Sequence, residues 1–231
     1  MTPPPRARAR LFLGGAAVLV LAGVASADAL WGPGDALVFV AEDLAANVFY
    51  RSPGEIFPED GPQDRWMGLY GDRLARATVA VRDTEPPVDD GFALDSSPDR
   101  PDLLLRNVPR LRAGPVVSAG RDQDLTPESP LTYQLGKRLY TLVLEINNEA
   151  MSGRRVVIRE GGREQILFDE SEGDEPQFRV HWAGDLDGDG RLDLVATFAR
   201  KYSSLPRALW LSGAARRRAL VGAVASFTVG C

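Results

Sequence analysis

Between Asp185 and Asp193 the chain carries four aspartates, Asp185, Asp187, Asp189 and Asp193, interleaved with Gly188 and Gly190. Few stretches limit a backbone more. The first three carboxylates can face one centre only if the chain coils tightly between them, and glycine permits that coil because it reaches positive φ without steric cost. On both sides the residues change character. Leu192, Leu194, Ala196 and Phe198 repeat every second position after the loop, and Phe178-Arg179-Val180-His181-Trp182 is rich in β-favouring residues before it. The stretch therefore predicts two strands joined by an acidic turn. Four carboxylates crowded into nine residues repel one another, and a cation at their centre relieves the repulsion.

The ligand set is all oxygen, which suits a hard cation: Asp185, Asp187 and Asp189 by side chain, Asp193 from the far side directly or through water, and Arg191 by its carbonyl rather than its charge. Ligand number and loop flexibility place Ca2+ ahead of Mg2+. An EF-hand is excluded, because its twelfth loop position needs a bidentate glutamate and here holds Ala196. The pattern Asp185-x-Asp187-x-Asp189-Gly190-x-Leu192-Asp193 before an apolar strand resembles the calcium loop of FG-GAP and VCBS repeats, the type found in integrin-like propellers. The wider tail, including Trp182-Ala183-Gly184 and Lys201-Tyr202-Ser203, resembles secreted bacterial proteins with a single such loop. The resemblance implies the four aspartates as side-chain ligands and Arg191 as a carbonyl ligand. Propellers repeat this unit, whereas this chain has one copy, and a lone blade cannot bury its faces.

Elsewhere short apolar runs are punctuated by glycine and proline. Leu37–Val40, Thr78–Val81, Leu103–Leu105, Val116–Ser118, Arg138–Asn147, Arg154–Glu160, Arg163–Phe168, Ala208–Leu211 and Val221–Val229 all read as strands, with Gly161-Gly162 suited to a tight hairpin. Val221, Ala223, Ala225, Phe227 and Val229 stand in step along the last one. The expected fold is mainly β, an antiparallel sheet or β-sandwich with the calcium-loop hairpin in its C-terminal part. Residues 28–231 form either one β-rich domain or two lobes, 28–120 and 131–231, divided at a linker over 121–130.

The first 27 residues read as an export signal: Arg6, Arg8 and Arg10, then the apolar run Leu11–Val24, then Ala25-Ser26-Ala27 as a cleavage site. The run is shorter than the roughly 20 residues a spanning helix needs, so the cleaved chain is expected to have no stable membrane insertion. Losing three arginines leaves 24 basic against 32 acidic residues, a formal −8, which argues against nucleic acid as a partner. The expected location is periplasmic or extracellular. Cys231 is the sole cysteine, so an intramolecular disulfide is excluded and the fold rests on packing and the ion.

The single histidine, His181, alternates with Trp182 and is expected on the opposite face. No nucleophile elbow, phosphate loop or zinc signature accompanies it. The resulting reading is a non-enzymatic exported calcium-binding protein, its partner the calcium ion. One alternative is a carbohydrate- or surface-recognition module using Trp182, Tyr202 and Trp210. Another is a hydrolase with a carboxylate pair about 5 to 9.5 Å apart, away from the loop.

Overall fold

Alternating apolar residues along nearly every described segment produce strands, and a computed structural model of the chain arranges fifteen of them in three antiparallel sheets. The structure describes residues 36–44, 65–83, 92–146 and 153–230. The leader expected over 1–27 and Cys231 lie outside them. Among the described residues no helix is long and apolar enough to cross a membrane.

The first sheet has the order β1-β5-β2-β3-β4, built from β1 (Leu37–Val40), β2 (Trp66–Tyr70), β3 (Arg73–Asp83), β4 (Phe92–Ser97) and β5 (Leu103–Arg106). The short β6 (Gly114–Pro115) pairs β3. The middle sheet has the order β15-β14-β13-β12-β7, from β7 (Val117–Asp124), β12 (Gln177–Asp185), β13 (Asp193–Ala199), β14 (Ser204–Leu211) and β15 (Gly222–Gly230). The third has the order β11-β10-β9-β8, from β8 (Leu131–Leu135), β9 (Arg138–Ile146), β10 (Arg154–Glu160) and β11 (Arg163–Glu170).

Every residue of β13 is buried, and the pleat explains how. Leu194, Ala196 and Phe198 join Leu142, Leu144 and Ile158 of the third sheet in one core, while Val195 joins Val38, Leu69 and Leu105 of the first sheet in another. The middle sheet is thus covered on both faces. The third sheet is covered on one, and its other side carries cross-strand pairs such as Arg155–Asp169 at 2.9 Å and Arg159–Glu145 at 2.6 Å. Such pairs keep an open face solvated and contribute tenths of a kcal/mol each.

Three expectations change. Arg121–Asp124, read as the start of a linker, completes β7 and pairs with β12, because the first-sheet chain must cross here to reach the middle sheet. The core formed by Val38, Leu69 and Leu105 with Trp182, Val195 and Leu209 joins segments from both sides of that span. Next, β15 is not in step throughout. Its register slips opposite Leu209/Trp210, so Val221 and Ala223 pack toward the third sheet while Ala225 packs toward the first. Finally, His181 and Trp182 lie on the same side. Val180 pairs Ala196 and Trp182 pairs Val195, leaving His181 as the additional residue of a β-bulge that re-aims its side chain.

Candidate metal centre

The acidic turn joins the end of β12 to the start of β13. Those two strands lie at the heart of the molecule, so Asp185 and Asp193 are buried although each carries a carboxyl group. Gly188 and Gly190 adopt φ of 80° and 75°, the left-handed turns that coil the loop back on itself. The coil directs its N–H groups inward. Asp185 accepts from Gly188 at 2.8 Å and Asp189 at 3.0 Å through Oδ1, and from Gly190 at 2.9 Å through Oδ2. Asp193 accepts from Leu186 at 2.7 Å and Asp187 at 3.2 Å through Oδ2.

Asp185, Asp187 and Asp193 each present an oxygen within 4.8 Å of the others, so the cluster could hold a metal ion. Its electrostatics suit one. Burial pushes the Asp193 carboxyl up to about 7, with the charge of Asp187 adding to the effect against the N–H bonds that Asp193 accepts. Burial likewise raises Asp187, reinforced by the neighbouring Asp189 and Asp185. Both are shifts a cation reverses.

Asp189 sits apart from that trio. Its Oδ2 pairs with Arg191 Nη2 at 2.7 Å and its Oδ1 accepts from Ser212 Oγ at 2.8 Å. Burial pushes its carboxyl up, but these bonds outweigh that and hold it below the usual range. Arg191, expected to serve through its carbonyl, uses its charge as well: the guanidinium neutralises Asp189 and reaches the Ser212 carbonyl at 3.4 Å.

Sequence spacing gave no sign of the turn Ser212–Ala214, which follows β14 and closes the far side of the loop. Ser212 N–H donates to Asp193 Oδ1 at 2.7 Å, and Gly213 stands where any Cβ would come within 2.4 Å of Asp187 Oδ2. Arg110, from the segment after β5, donates to the Gly213 carbonyl. The loop therefore ties together β12, β13, the β14–β15 connection and the first sheet.

Trp182 and Trp210, expected beside Tyr202 as a recognition surface, are buried in opposite cores, and only Tyr202 is exposed. The two indoles pack in place of forming an exposed platform.

A second charged cluster lies at the other end of β12. Arg207 of β14 is buried and forms a bidentate pair with Asp43, Nη2 to Oδ1 at 2.9 Å and Nε to Oδ2 at 3.2 Å. Arg207 Nη1 donates to Thr197 Oγ1 at 2.8 Å, which frees the threonine hydroxyl to donate to His181 Nε2 at 3.0 Å. That places the imidazole proton on Nδ1 in a neutral ring. Burial, with the charges of Arg207 and Arg179 adding, lowers the His181 pKa to about 3. Because its folded pKa is below the ordinary 6.5, its stability contribution is complete above pH 6.5 and is lost as pH falls toward 3. We expect that loss to be on the order of 4 kcal/mol, read as the difference between wild type and His181→Gln in urea midpoints across that window. Equal acid sensitivity in the two proteins would show that His181 is not the group responsible.

Glu42, Asp122 and His181 also bring ligand atoms within 4.8 Å of one another. Two guanidinium groups already face them, Arg207 at 3.4 Å from Glu42 and Arg179 at 3.6 Å from Asp122. The positive charge a metal would supply is thus provided by the protein. Compared with known protein families, curated proteins and solved structures, the chain finds no match in any of the three.

Proposed function

We propose that this is an exported, non-enzymatic calcium-binding β protein in which Ca2+ locks the β12–β13 loop against the turn Ser212–Ala214. The observation that carries the reading is the convergence of Asp185, Asp187 and Asp193 on a common centre, with two of the three carboxyls pushed upward. Asp189 joins the shell by exchanging its Arg191 contact for the ion, and the Arg191 carbonyl supplies a further oxygen. The FG-GAP-like spacing is the reason to choose calcium over magnesium, whose octahedral demand is stricter. At about 1 mM calcium and a dissociation constant near 0.1 mM, binding stabilises the fold by roughly 1.4 kcal/mol. Removal of residues 1–27 by a signal peptidase is part of the same proposal, and a mature N-terminus at Asp28 in the exported protein tests it.

Asp187 is the informative side chain to remove. In the loop it accepts one bond, from Asp189 N–H at 3.3 Å, so its loss leaves the turn's scaffold of Asp185 and Asp193 intact. Calorimetric titration with calcium is expected to give saturable heat for wild type and an affinity at least about tenfold weaker for Asp187→Ala. Equal heats from the two proteins would end the metal assignment.

A further inference from the structure

Of the three carboxylates that converge in the acidic loop, two are fixed by backbone N–H groups. Asp185 accepts from Gly188, Asp189 and Gly190, and Asp193 accepts from Leu186, Asp187 and Ser212. Asp187 has no such cradle. It accepts one long bond, from Asp189 N–H at 3.3 Å, so its direction must be set by what it leans on. That neighbour is Gly213, where a Cβ would stand 2.4 Å from Asp187 Oδ2 and 3.5 Å from its Cγ. Gly213 is not among the glycines with positive φ, so space and not backbone conformation is what calls for glycine here.

The position of Gly213 is set in turn by a distant part of the chain. Arg110 Nη1 donates to the Gly213 carbonyl and lies 3.5 Å from the place a Cβ would take. Arg110 belongs to the segment after β5, and the next residue, Leu111, packs against the core that holds Leu69, Leu103 and Leu105 of the first sheet. The wall behind Asp187 is thereby anchored to that sheet.

We propose, resting on the calcium reading of this loop, that Gly213 is a positioning residue that aims Asp187 at the metal centre, and that Arg110 couples the centre to the first sheet by holding Gly213. A methyl group at Gly213 is cheap for the fold, because the atom it meets is the far end of a side chain that swings aside by changing rotamer. It is costly for the ion. The same swing takes one of the three converging oxygens off a centre where ligand distances tolerate only a few tenths of an ångström. Arg110 is informative through the sign of its effect. Its charge opposes a cation, so if charge were its only contribution its removal would strengthen binding, whereas loss of the anchor weakens it. By reciprocity, what Arg110 adds to calcium affinity, calcium returns as order in residues 107–112.

The whole chain is titrated with calcium by calorimetry as wild type, Gly213→Ala and Arg110→Met, and each protein is unfolded in urea with chelator present. The expected result is an affinity about tenfold or more weaker in Gly213→Ala, the usual effect of disturbing a residue that orients a ligand, with the urea midpoint in chelator unchanged. Arg110→Met is expected to bind more weakly. Amide hydrogen exchange in residues 107–112 is expected to slow when calcium is added to the wild type and to stay as it was in Arg110→Met. Wild-type affinity in Gly213→Ala, or a fall in its midpoint in chelator as large as its loss of affinity, would return Gly213 to a purely structural role. Tighter or unaltered binding by Arg110→Met would remove the coupling. No calcium heat from the wild type sinks the calcium reading and this inference together, whereas a wild-type response that both variants share sinks this inference alone.

Discussion

Replacing Asp43 with alanine is expected to destabilise the protein by about 3–5 kcal/mol, the cost of leaving one member of a buried ion pair without the other. Asp43 and Arg207 are among the most buried charged residues described, at 2% and 5% exposure. Asp43 belongs to the turn Ala41–Leu44 after β1, and Arg207 belongs to β14, so the pair clamps the first sheet to the middle one. The variant leaves a guanidinium facing Thr197 and a neutral imidazole, with Glu42 at 3.4 Å as its remaining carboxylate contact. The effect is expected to appear as a fall in midpoint temperature of roughly 10 °C or more. Combining Asp43→Ala with Arg207→Met discriminates the cause. If the penalty is the orphaned charge, the double variant regains much of the loss, because an apolar side chain of similar length needs no counterion. A double variant no more stable than Asp43→Ala would assign the loss to the turn that Asp43 supports by accepting from Val40 N–H at 3.0 Å.

Asp193→Asn is expected to abolish the calcium response and to cost about 2–3 kcal/mol even without calcium. The backbone explains the second part. Ser212 N–H donates to Oδ1 while the N–H groups of Leu186 and Asp187 donate to Oδ2, and an amide accepts at one end only. Its NH2 group must face a donor, leaving buried N–H groups unsatisfied. In the wild type the sign of the pH dependence follows from a carboxyl raised to about 7. Without metal, its contribution favours folding below the ordinary aspartate range and is lost as pH rises from about 4 to 7. Calcium needs the ionised form, so binding expels a proton below pH 7 and apparent affinity falls by about tenfold per pH unit there. Denaturant midpoints measured in calcium and in chelator, at pH 5 and pH 7, check both statements. A calcium-dependent gap that survives in Asp193→Asn would place the ion elsewhere.

Most of the strand pattern was legible in local residue chemistry. Tyr140, Leu142 and Leu144 alternate on β9 and are buried as the alternation demands, and Gly161-Gly162 turns β10 into β11. The spacing of Asp185, Asp187 and Asp193 led to a shared centre because a coil of nine residues admits few other arrangements. Asp189 was less legible. Its carboxylate turns toward Arg191 and Ser212, and Ser212 is 23 positions of chain and two strands, β13 and β14, away from Asp189, a proximity created by strand pairing.

The chain's own order of residues determined an acidic, glycine-hinged turn between two strands, together with a β-rich architecture, since both follow from interactions among near neighbours. Tertiary structure alone decided which faces those strands bury. One additional residue at a bulge reverses the alternation that sequence reading assumes, as at His181 and in β15, and where it falls depends on partner strands. The same dependence produced the Asp43–Arg207 pair across 164 positions, because a buried charge is tolerated only where packing delivers its counterion.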